Sequence, residues 1–202
     1  MWWMTIFVVM SASVASAQGP GAQPTQTIEN LGAAIEGEAN AAHRYALFAT
    51  RADEEGHPQV AELFRAAAES ERIHRRNHEA VLRALGHPVT EPRLADVEVR
   101  STRENLRVPI EGERDEATEM YPRYIEQARR DSVPAAATSF TYARDAEQGH
   151  ERLFQEALAS LGEPSSDVDY WVQSESGVLD VRPGRVEAVT SVPVRASVHA
   201  KL

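Results

Sequence analysis

The sequence of 202 residues contains no cysteine, and Lys201 is the one lysine among its 21 basic residues. Without cysteine the chain cannot form disulfides, use a thiolate nucleophile, or bind zinc, haem or an iron–sulfur cluster through sulfur. The 31 acidic residues leave a formal net charge of −10. Because no basic stripe is present to neutralise phosphates, neither nucleic acid nor an anionic lipid surface is an expected partner. An apolar fraction of 42% is enough for one core with appendages.

The amino terminus has the pattern of a targeting segment. An uncharged apolar run from Trp2 to Val14 is followed by Ala15-Ser16-Ala17 and a polar stretch, which predicts a signal peptide over residues 1–17 and a linker over 18–24. A run of about 13 residues is shorter than the roughly 20 that a membrane-spanning helix needs. We therefore expect a periplasmic or secreted protein without stable membrane insertion. An uncleaved tether is the alternative, since no Lys or Arg precedes the run.

Residues 25–164 contain four segments in which apolar residues recur in steps of three and four, as in amphipathic helices. These residues are Ile28, Leu31, Ile35, Ala42 and Tyr45 in the first segment, Val60, Leu63, Phe64, Ala67, Val81, Leu82 and Leu85 in the second, Leu106, Ile110, Ala117, Met120 and Tyr124 in the third, and Phe140, Ala143, Phe154, Ala157 and Leu161 in the fourth. A linker of about 15 to 20 residues separates the second from the third. Ser101 and Glu104 form a capping-box pattern at the start of the third. Two hairpins with one long crossover predict an all-α, ferritin-like four-helix bundle.

Carboxylates and imidazoles interrupt the apolar faces of all four helices. They are Glu38 on the first helix, Glu71 and His74 on the second, Glu113 and Glu116 on the third, and Glu147 and His150 on the fourth. Buried carboxylates are costly without a compensating cation. Five glutamates at −1 match two divalent ions at +4 or two trivalent ions at +6. One Glu from each of two helices plus Glu-x-x-His from the other two is the ligand pattern of di-iron and di-manganese bundles. A metal-free bundle is the alternative.

An internal repeat supports this prediction independently. Ile35-Glu36-Gly37-Glu38 recurs as Ile110-Glu111-Gly112-Glu113, and Glu71 and His74 recur as Glu147 and His150, at offsets of 75 or 76 residues. Each copy would supply half of a pseudo-symmetric site for two metals. Glu116 breaks the symmetry, because its counterpart in the first copy is Ala41.

At these residues the sequence resembles the rubrerythrin family from Ile28 to about Pro164. The resemblance rests on Glu38, Arg44-Tyr45, Glu71-Arg72-Ile73-His74, Gly112-Glu113 with Glu116, Met120-Tyr121 and Glu147-Gln148-Gly149-His150. It implies that the five glutamates and two histidines bind two irons, although manganese or a mixed pair also suits them. It further implies that Glu71 and Glu113 bridge the metals, that Glu116 and His74 alternate on one of them, and that Tyr45 and Tyr121 hydrogen-bond the carboxylates.

The function implied by the resemblance is a di-iron oxidoreductase of the oxidative-stress response that reduces hydrogen peroxide to water. Glu71, His74, Glu113 and Glu116 would be its catalytic residues. An external electron donor and a homodimer are also expected from the resemblance. Two alternatives use the same residues, namely a ferroxidase or iron-storage protein and a metal-stabilised structural bundle. Oxygen in place of peroxide is the alternative substrate.

Residues 165–202 form a β-rich tail in this interpretation, with strands at Val168 to Val172, Val178 to Val181 and Val186 to Val198. Tyr170 to Gly177 resembles the first metal-binding turn of a rubredoxin, with Gln173 and Ser176 at the positions of its cysteines. A weaker match is Val192 to Ala196. We expect a rubredoxin-like remnant that holds no rubredoxin-type iron and that packs against the bundle or a partner subunit, or is disordered. An unrelated β-rich tail is the alternative.

His74 and His78 form a His-x-x-x-His pair, which is the alternative metal prediction. Such spacing is typical of zinc metalloproteases, but Arg75 occupies the place of their catalytic glutamate. We therefore predict that His78 supports the site or packs beside it.

Overall fold

The computed structural model describes residues 24–163 and 168–183. The predicted signal peptide, the expected strand from Val186 to Val198 and the weak turn match at Val192 to Ala196 lie outside the described residues. Within them, the helices are α1 (Thr25–Glu54), α2 (Pro58–Ala84), α3 (Thr102–Asp115), α4 (Tyr121–Arg130) and α5 (Pro134–Ala159). Two strands follow, β1 (Val168–Val172) and β2 (Leu179–Pro183). The all-α bundle with a short β segment is confirmed.

The third bundle helix is interrupted rather than continuous. A π-helical turn, Glu116–Met120, joins α3 to α4, and Pro122 is the second residue after it. Because proline lacks a backbone N–H and its ring clashes with the preceding turn, a regular helix is difficult to maintain there. The predicted third helix therefore consists of α3, the π turn and α4.

Local sequence explains where the other helices begin and end. Pro58 and Pro134 occupy the first turns of α2 and α5, where the missing N–H costs nothing. Ser101 and Glu104 form the predicted capping box at the start of α3. The crossover between α2 and α3 contains neither helix nor strand. The length of this crossover agrees with the linker predicted between the second and third helices. The crossover allows two antiparallel hairpins to pack as one bundle.

The apolar core is divided into two clusters along the bundle. One contains Tyr45, Phe48, Phe64 and Phe154, and the other contains Leu31, Ile35, Tyr121 and Phe140. The predicted apolar stripes are thus buried, with the side chains at their edges half-buried. The polar residues that interrupt the stripes lie between the two clusters.

The strands β1 and β2 form an antiparallel hairpin in which Val172 pairs with Leu179. Both side chains are buried in the cluster around Phe64, and both strands contact α2. This part of the tail therefore packs on the bundle of its own chain. Among the described helices, none is long and apolar enough to cross a membrane.

Candidate metal centre

Six of the seven predicted ligands meet in the interior of the bundle. Each has at most 2% of its surface exposed, and they come from four different helices: Glu38, Glu71, His74, Glu113, Glu147 and His150. Their ligand atoms form two overlapping sets in which all atoms lie within 4.8 Å of one another. The first set is Glu38, Glu71, His74 and Glu147, and the second is Glu71, Glu113, Glu147 and His150. The site is built for two adjacent metals.

The residues common to both sets are Glu71 and Glu147. They are the two glutamates of the Glu-x-x-His pairs, and they face each other from α2 and α5. The expectation that Glu71 and Glu113 bridge the metals differs from this arrangement, because Glu113 belongs to the second set alone. That expectation came from the family resemblance; the apolar stripes identify which side of each helix faces the core, but not which carboxylates are shared.

The two imidazoles occupy equivalent positions, one in each ligand set. His74 Nδ1 lies 2.9 Å from Glu71 Oε2 and 3.1 Å from Glu147 Oε1. His150 Nδ1 lies 2.8 Å from Glu147 Oε2 and 3.3 Å from Glu71 Oε1. Each Nδ1 atom therefore points at both shared carboxylates, as the internal repeat predicts.

The ligand atoms are arranged better for binding metal ions than for hydrogen bonding to one another. Several are buried without a hydrogen-bond partner among the described residues: Glu71 Oε1, Glu113 Oε2, both Glu147 oxygens and both ring nitrogens of His150. Unpaired buried polar atoms are rare and costly in folded proteins. Close contact without hydrogen-bond geometry is the arrangement expected of atoms that bind a shared cation. Carboxylate and imidazole ligands suit iron and manganese.

The pKa values show how strongly this cluster attracts positive charge. Burial and the charge of Glu71 raise the pKa of Glu38, and burial with Glu147 raises that of Glu113. Burial lowers the pKa of His74 and His150, but the carboxylates outweigh it and leave both raised. Each of these four groups thus favours a bound proton, and protons are what a metal would displace.

Two buried tyrosines orient the outer carboxylates. The Tyr45 hydroxyl donates to Glu113 Oε1, and the Tyr121 hydroxyl donates to Glu38 Oε1. Burial and the charge of the adjacent glutamate raise the pKa of each phenol, so each keeps the proton that it donates. The predicted role of both tyrosines as partners of the carboxylates agrees with these contacts.

Glu116 lies beside the cluster and belongs to neither set. It opens the π-helical turn and is half-buried. Burial, Glu147 and Glu71 raise its pKa to about 8, so it is electrostatically close to both shared glutamates. Short π-helical segments occur frequently at functional sites. The apolar stripe of the third helix correctly predicted the side of the helix on which Glu116 lies. Pro122 is the one sequence feature that indicates an irregular turn there.

His78 connects the site to its surroundings rather than adding a ligand. Its Nδ1 lies 2.7 Å from Ser139 Oγ, and its Nε2 lies 3.3 Å from the Tyr121 hydroxyl. Burial and the neighbouring His74 lower its pKa to about 3, which keeps it neutral. Since Tyr121 donates to Glu38, it accepts from His78 Nε2–H, and Nδ1 then accepts from Ser139. With both nitrogens engaged, the arrangement disfavours the alternative zinc pair of His74 and His78.

Comparison with known proteins identifies the family. The family model named Rubrerythrin matches residues 29–158, which is more than half of the chain. The chain belongs to the rubrerythrin family. Rubrerythrin-2 of Clostridium acetobutylicum is 36% identical over 137 residues, covering 68% of this chain and 74% of that protein. Nigerythrin of Nitratidesulfovibrio vulgaris is 35% identical over 141 residues, covering 70% of each.

Solved structures agree with this assignment. Nigerythrin in its fully reduced, all-ferrous state superposes with a TM-score of 0.73 and 30% identity, over 90% of this chain and 86% of that one. A bacterioferritin from Desulfovibrio desulfuricans, at 19% identity and a TM-score of 0.65, covers 70% of this chain and 84% of its own, and it shows the ferritin-like fold alone. Family and geometry together support a rubrerythrin-like di-iron oxidoreductase. Its cysteine-free sequence excludes a rubredoxin-type iron.

Proposed function

We propose that this chain is an exported di-iron peroxidase that reduces hydrogen peroxide to water with electrons from an external donor. The observation that carries the proposal is the pair of ligand sets joined by Glu71 and Glu147. Adjacent ferrous ions held there would supply one electron each, which is the chemistry the metals bring. The overall reaction takes two electrons and two protons, breaks the O–O bond of one peroxide and yields two waters.

The surroundings of the site suit a small, uncharged substrate. The six ligands in the two sets are almost fully buried, whereas Glu116 is half-buried beside them. The side chain of Glu116 therefore marks the side from which a molecule of the size of peroxide would approach. Tyr45 and Tyr121 hold Glu113 and Glu38 in place from the two apolar clusters on either side, so the carboxylates are oriented before any substrate arrives.

The electrons have to come from another molecule. A rubredoxin iron requires four cysteines, and this chain has none. Export to an oxidising compartment is consistent with that composition, because a thiol-free chain cannot form unwanted disulfides. We propose that residues 1–17 are removed, and that mass spectrometry of the exported protein will find Gln18 as its first residue. An intact Met1 would instead support an uncleaved tether. We also propose a homodimer.

Stopped-flow oxidation of the anaerobically reduced, iron-loaded protein tests the activity. We expect hydrogen peroxide to oxidise the protein at least about tenfold faster than dioxygen at equal concentration. Glu71→Gln should abolish the fast phase, because it removes a ligand of both sets. Glu111→Gln is the matched control, since Glu111 is an exposed glutamate of the same repeat and should leave the rate unchanged. Faster oxidation by dioxygen would refute the peroxidase and favour a ferroxidase.

A further inference from the structure

The tip of the β-hairpin lies directly on the metal site. Residues 173–178 connect β1 to β2, and three successive residues within this connection accept hydrogen bonds from α2. Asn77 Nδ2 donates to the carbonyl of Glu175 at 2.8 Å, His74 Nε2 to that of Ser176 at 3.1 Å, and Ser70 Oγ to that of Gly177 at 2.6 Å. The donors are spaced by four and three residues, so they lie on one face of α2.

One of these donors is a predicted metal ligand. A carbonyl oxygen can only accept a hydrogen bond, so the contact with Ser176 places a proton on His74 Nε2. In the neutral imidazole the lone pair is then on Nδ1, the atom that faces Glu71 and Glu147. Hydrogen bonds to the distal nitrogen of a histidine ligand fix its tautomer and ring orientation. The backbone of the hairpin tip thus sets which nitrogen of His74 is available to a metal.

Gly177 permits this close approach. A Cβ atom on Gly177 would collide with His74 Nε2 and would lie 2.8 Å from Cδ2 of the same ring. Its φ of +80° is also one that residues with side chains rarely adopt. Glycine at this position is therefore required both by the turn and by the imidazole beneath it.

The tip is held in place by contacts that do not depend on cysteine. The side chains of Gln173 and Ser176 hydrogen-bond each other, with Ser176 Oγ 3.1 Å from Gln173 Oε1. The Gly177 N–H donates to the carbonyl of Gln173 at 2.8 Å. From α5, the Tyr142 hydroxyl lies 3.2 Å from Glu175 Oε1. A closed turn docked on two helices therefore forms without a metal of its own.

We propose that the Gln173–Gly177 tip is a cap that positions His74 for metal binding, with Ser176 and Gly177 as its positioning residues. The cap acts on the first ligand set, which contains His74, and leaves the second set, which contains His150, essentially undisturbed. The inference rests on the ligand assignment proposed above and is independent of the substrate.

Cobalt(II) titration of the full chain under anaerobic conditions tests the cap, with visible absorption reporting each binding step. Gly177→Ala should weaken one of two steps by about tenfold or more, the usual effect of disturbing a partner of a metal-bound histidine. Gly86→Ala is the matched control: its φ is +83° and nothing lies within 4 Å of its would-be Cβ, so it carries the same backbone strain away from the site. We expect the cobalt affinities of both binding steps in Gly86→Ala to stay within about twofold of those of the wild type.

Variants made in a chain that lacks His74 distinguish loss of His74 positioning from general destabilisation of the protein. In a His74→Ala chain, adding Gly177→Ala should cause no further loss of cobalt affinity, because the cap then has no imidazole to position. Persistence of the full effect there, or equal behaviour of Gly177→Ala and Gly86→Ala, would overturn the proposal. Wild-type protein that binds fewer than two cobalt ions would instead refute the ligand assignment.

A gentler variant covers the case in which Gly177→Ala fails to fold. Asn77→Ala combined with Tyr142→Phe removes two anchors of the tip and adds no steric clash. It should weaken the same cobalt step by a smaller factor and leave the other unchanged. Wild-type affinity at both steps in this variant would also overturn the cap.

Discussion

Tyr45 donates a hydrogen bond to Glu113, a residue 68 positions away on the other helical hairpin. The reciprocal pair is Tyr121 of the second hairpin with Glu38 of the first. Each hairpin thus orients an outer carboxylate of its counterpart, and neither half of the site is complete without the other. In the folded protein, the internal sequence repeat corresponds to a reciprocal pair of hydrogen bonds between the two hairpins.

Removing either hydroxyl should weaken the site. Tyr45→Phe and Tyr121→Phe each leave a buried carboxylate without its donor, which typically costs about 1–3 kcal/mol. We expect similar losses in the free energy of unfolding of the metal-loaded protein for the two variants, measured by chemical denaturation. Tyr124→Phe is the control, because Tyr124 packs near Tyr121 but donates to none of the seven ligands. A loss as large in the control would argue against the assigned role.

Substitution of the shared glutamates distinguishes two bridging schemes. Because Glu71 and Glu147 belong to both ligand sets, Glu71→Gln and Glu147→Gln should each reduce iron binding from two ions per chain to fewer than one. Glu113→Gln should leave about one ion bound, since Glu113 belongs to one set. Metal analysis after anaerobic loading provides the count, with Glu36→Gln as an exposed control. Loss of both ions in Glu113→Gln with one ion retained in Glu147→Gln would restore the scheme in which Glu71 and Glu113 bridge.

His78 provides a test of the zinc alternative. Both ring nitrogens already have partners, Ser139 and Tyr121, so His78→Gln should still bind two metals per chain. His74→Ala should weaken one of them. The metal content of the two variants, measured side by side, decides the point. If His78→Gln lost a metal and His74→Ala did not, His78 would be a ligand and the relay to Tyr121 would be wrong.

The prediction from sequence was most successful where helical periodicity carries the information. Glu38, Glu71, His74, Glu113, Glu147 and His150 were expected in the core because each continues an apolar stripe, and all are buried together. Periodicity reports the side of a helix that faces inward but not its axial offset, so it could not identify which carboxylates are shared. The expectation that Glu71 and Glu113 are the shared pair came from the family resemblance, whereas the two ligand sets share Glu71 and Glu147. The docking of Gly177 on His74 depends on residues 103 positions apart, and no local pattern encodes it.

The pH dependence of metal binding follows from the directions of the pKa shifts. The pKa values of Glu38, Glu113, His74 and His150 are raised, and that of Glu116 is raised to about 8. In the metal-free protein, a group with a raised folded-state pKa contributes stability below its unfolded pKa and loses that contribution as pH rises through the folded pKa. Metal ions displace the same protons and therefore bind more tightly at higher pH.

Thermal unfolding at two pH values measures this effect. We expect the increase in Tm on loading with manganese(II), a redox-stable probe, to be larger at pH 8 than at pH 6. The comparison is made at equal free metal concentration, because the stabilisation depends on it. An increase in Tm that is independent of pH, or larger at pH 6, would show that the groups with raised pKa values do not bind the metal.

A peroxide titration of the diferrous protein tests the central claim most directly. Two adjacent irons that each give one electron consume one hydrogen peroxide per chain, so the absorbance of the oxidised centre should stop rising at one equivalent. An endpoint near one peroxide per two irons, reached without release of radicals to a spin trap, is the result we predict. An endpoint well away from that ratio, or trapped radicals in proportion to the iron oxidised, would contradict a dinuclear centre that reduces peroxide by two electrons.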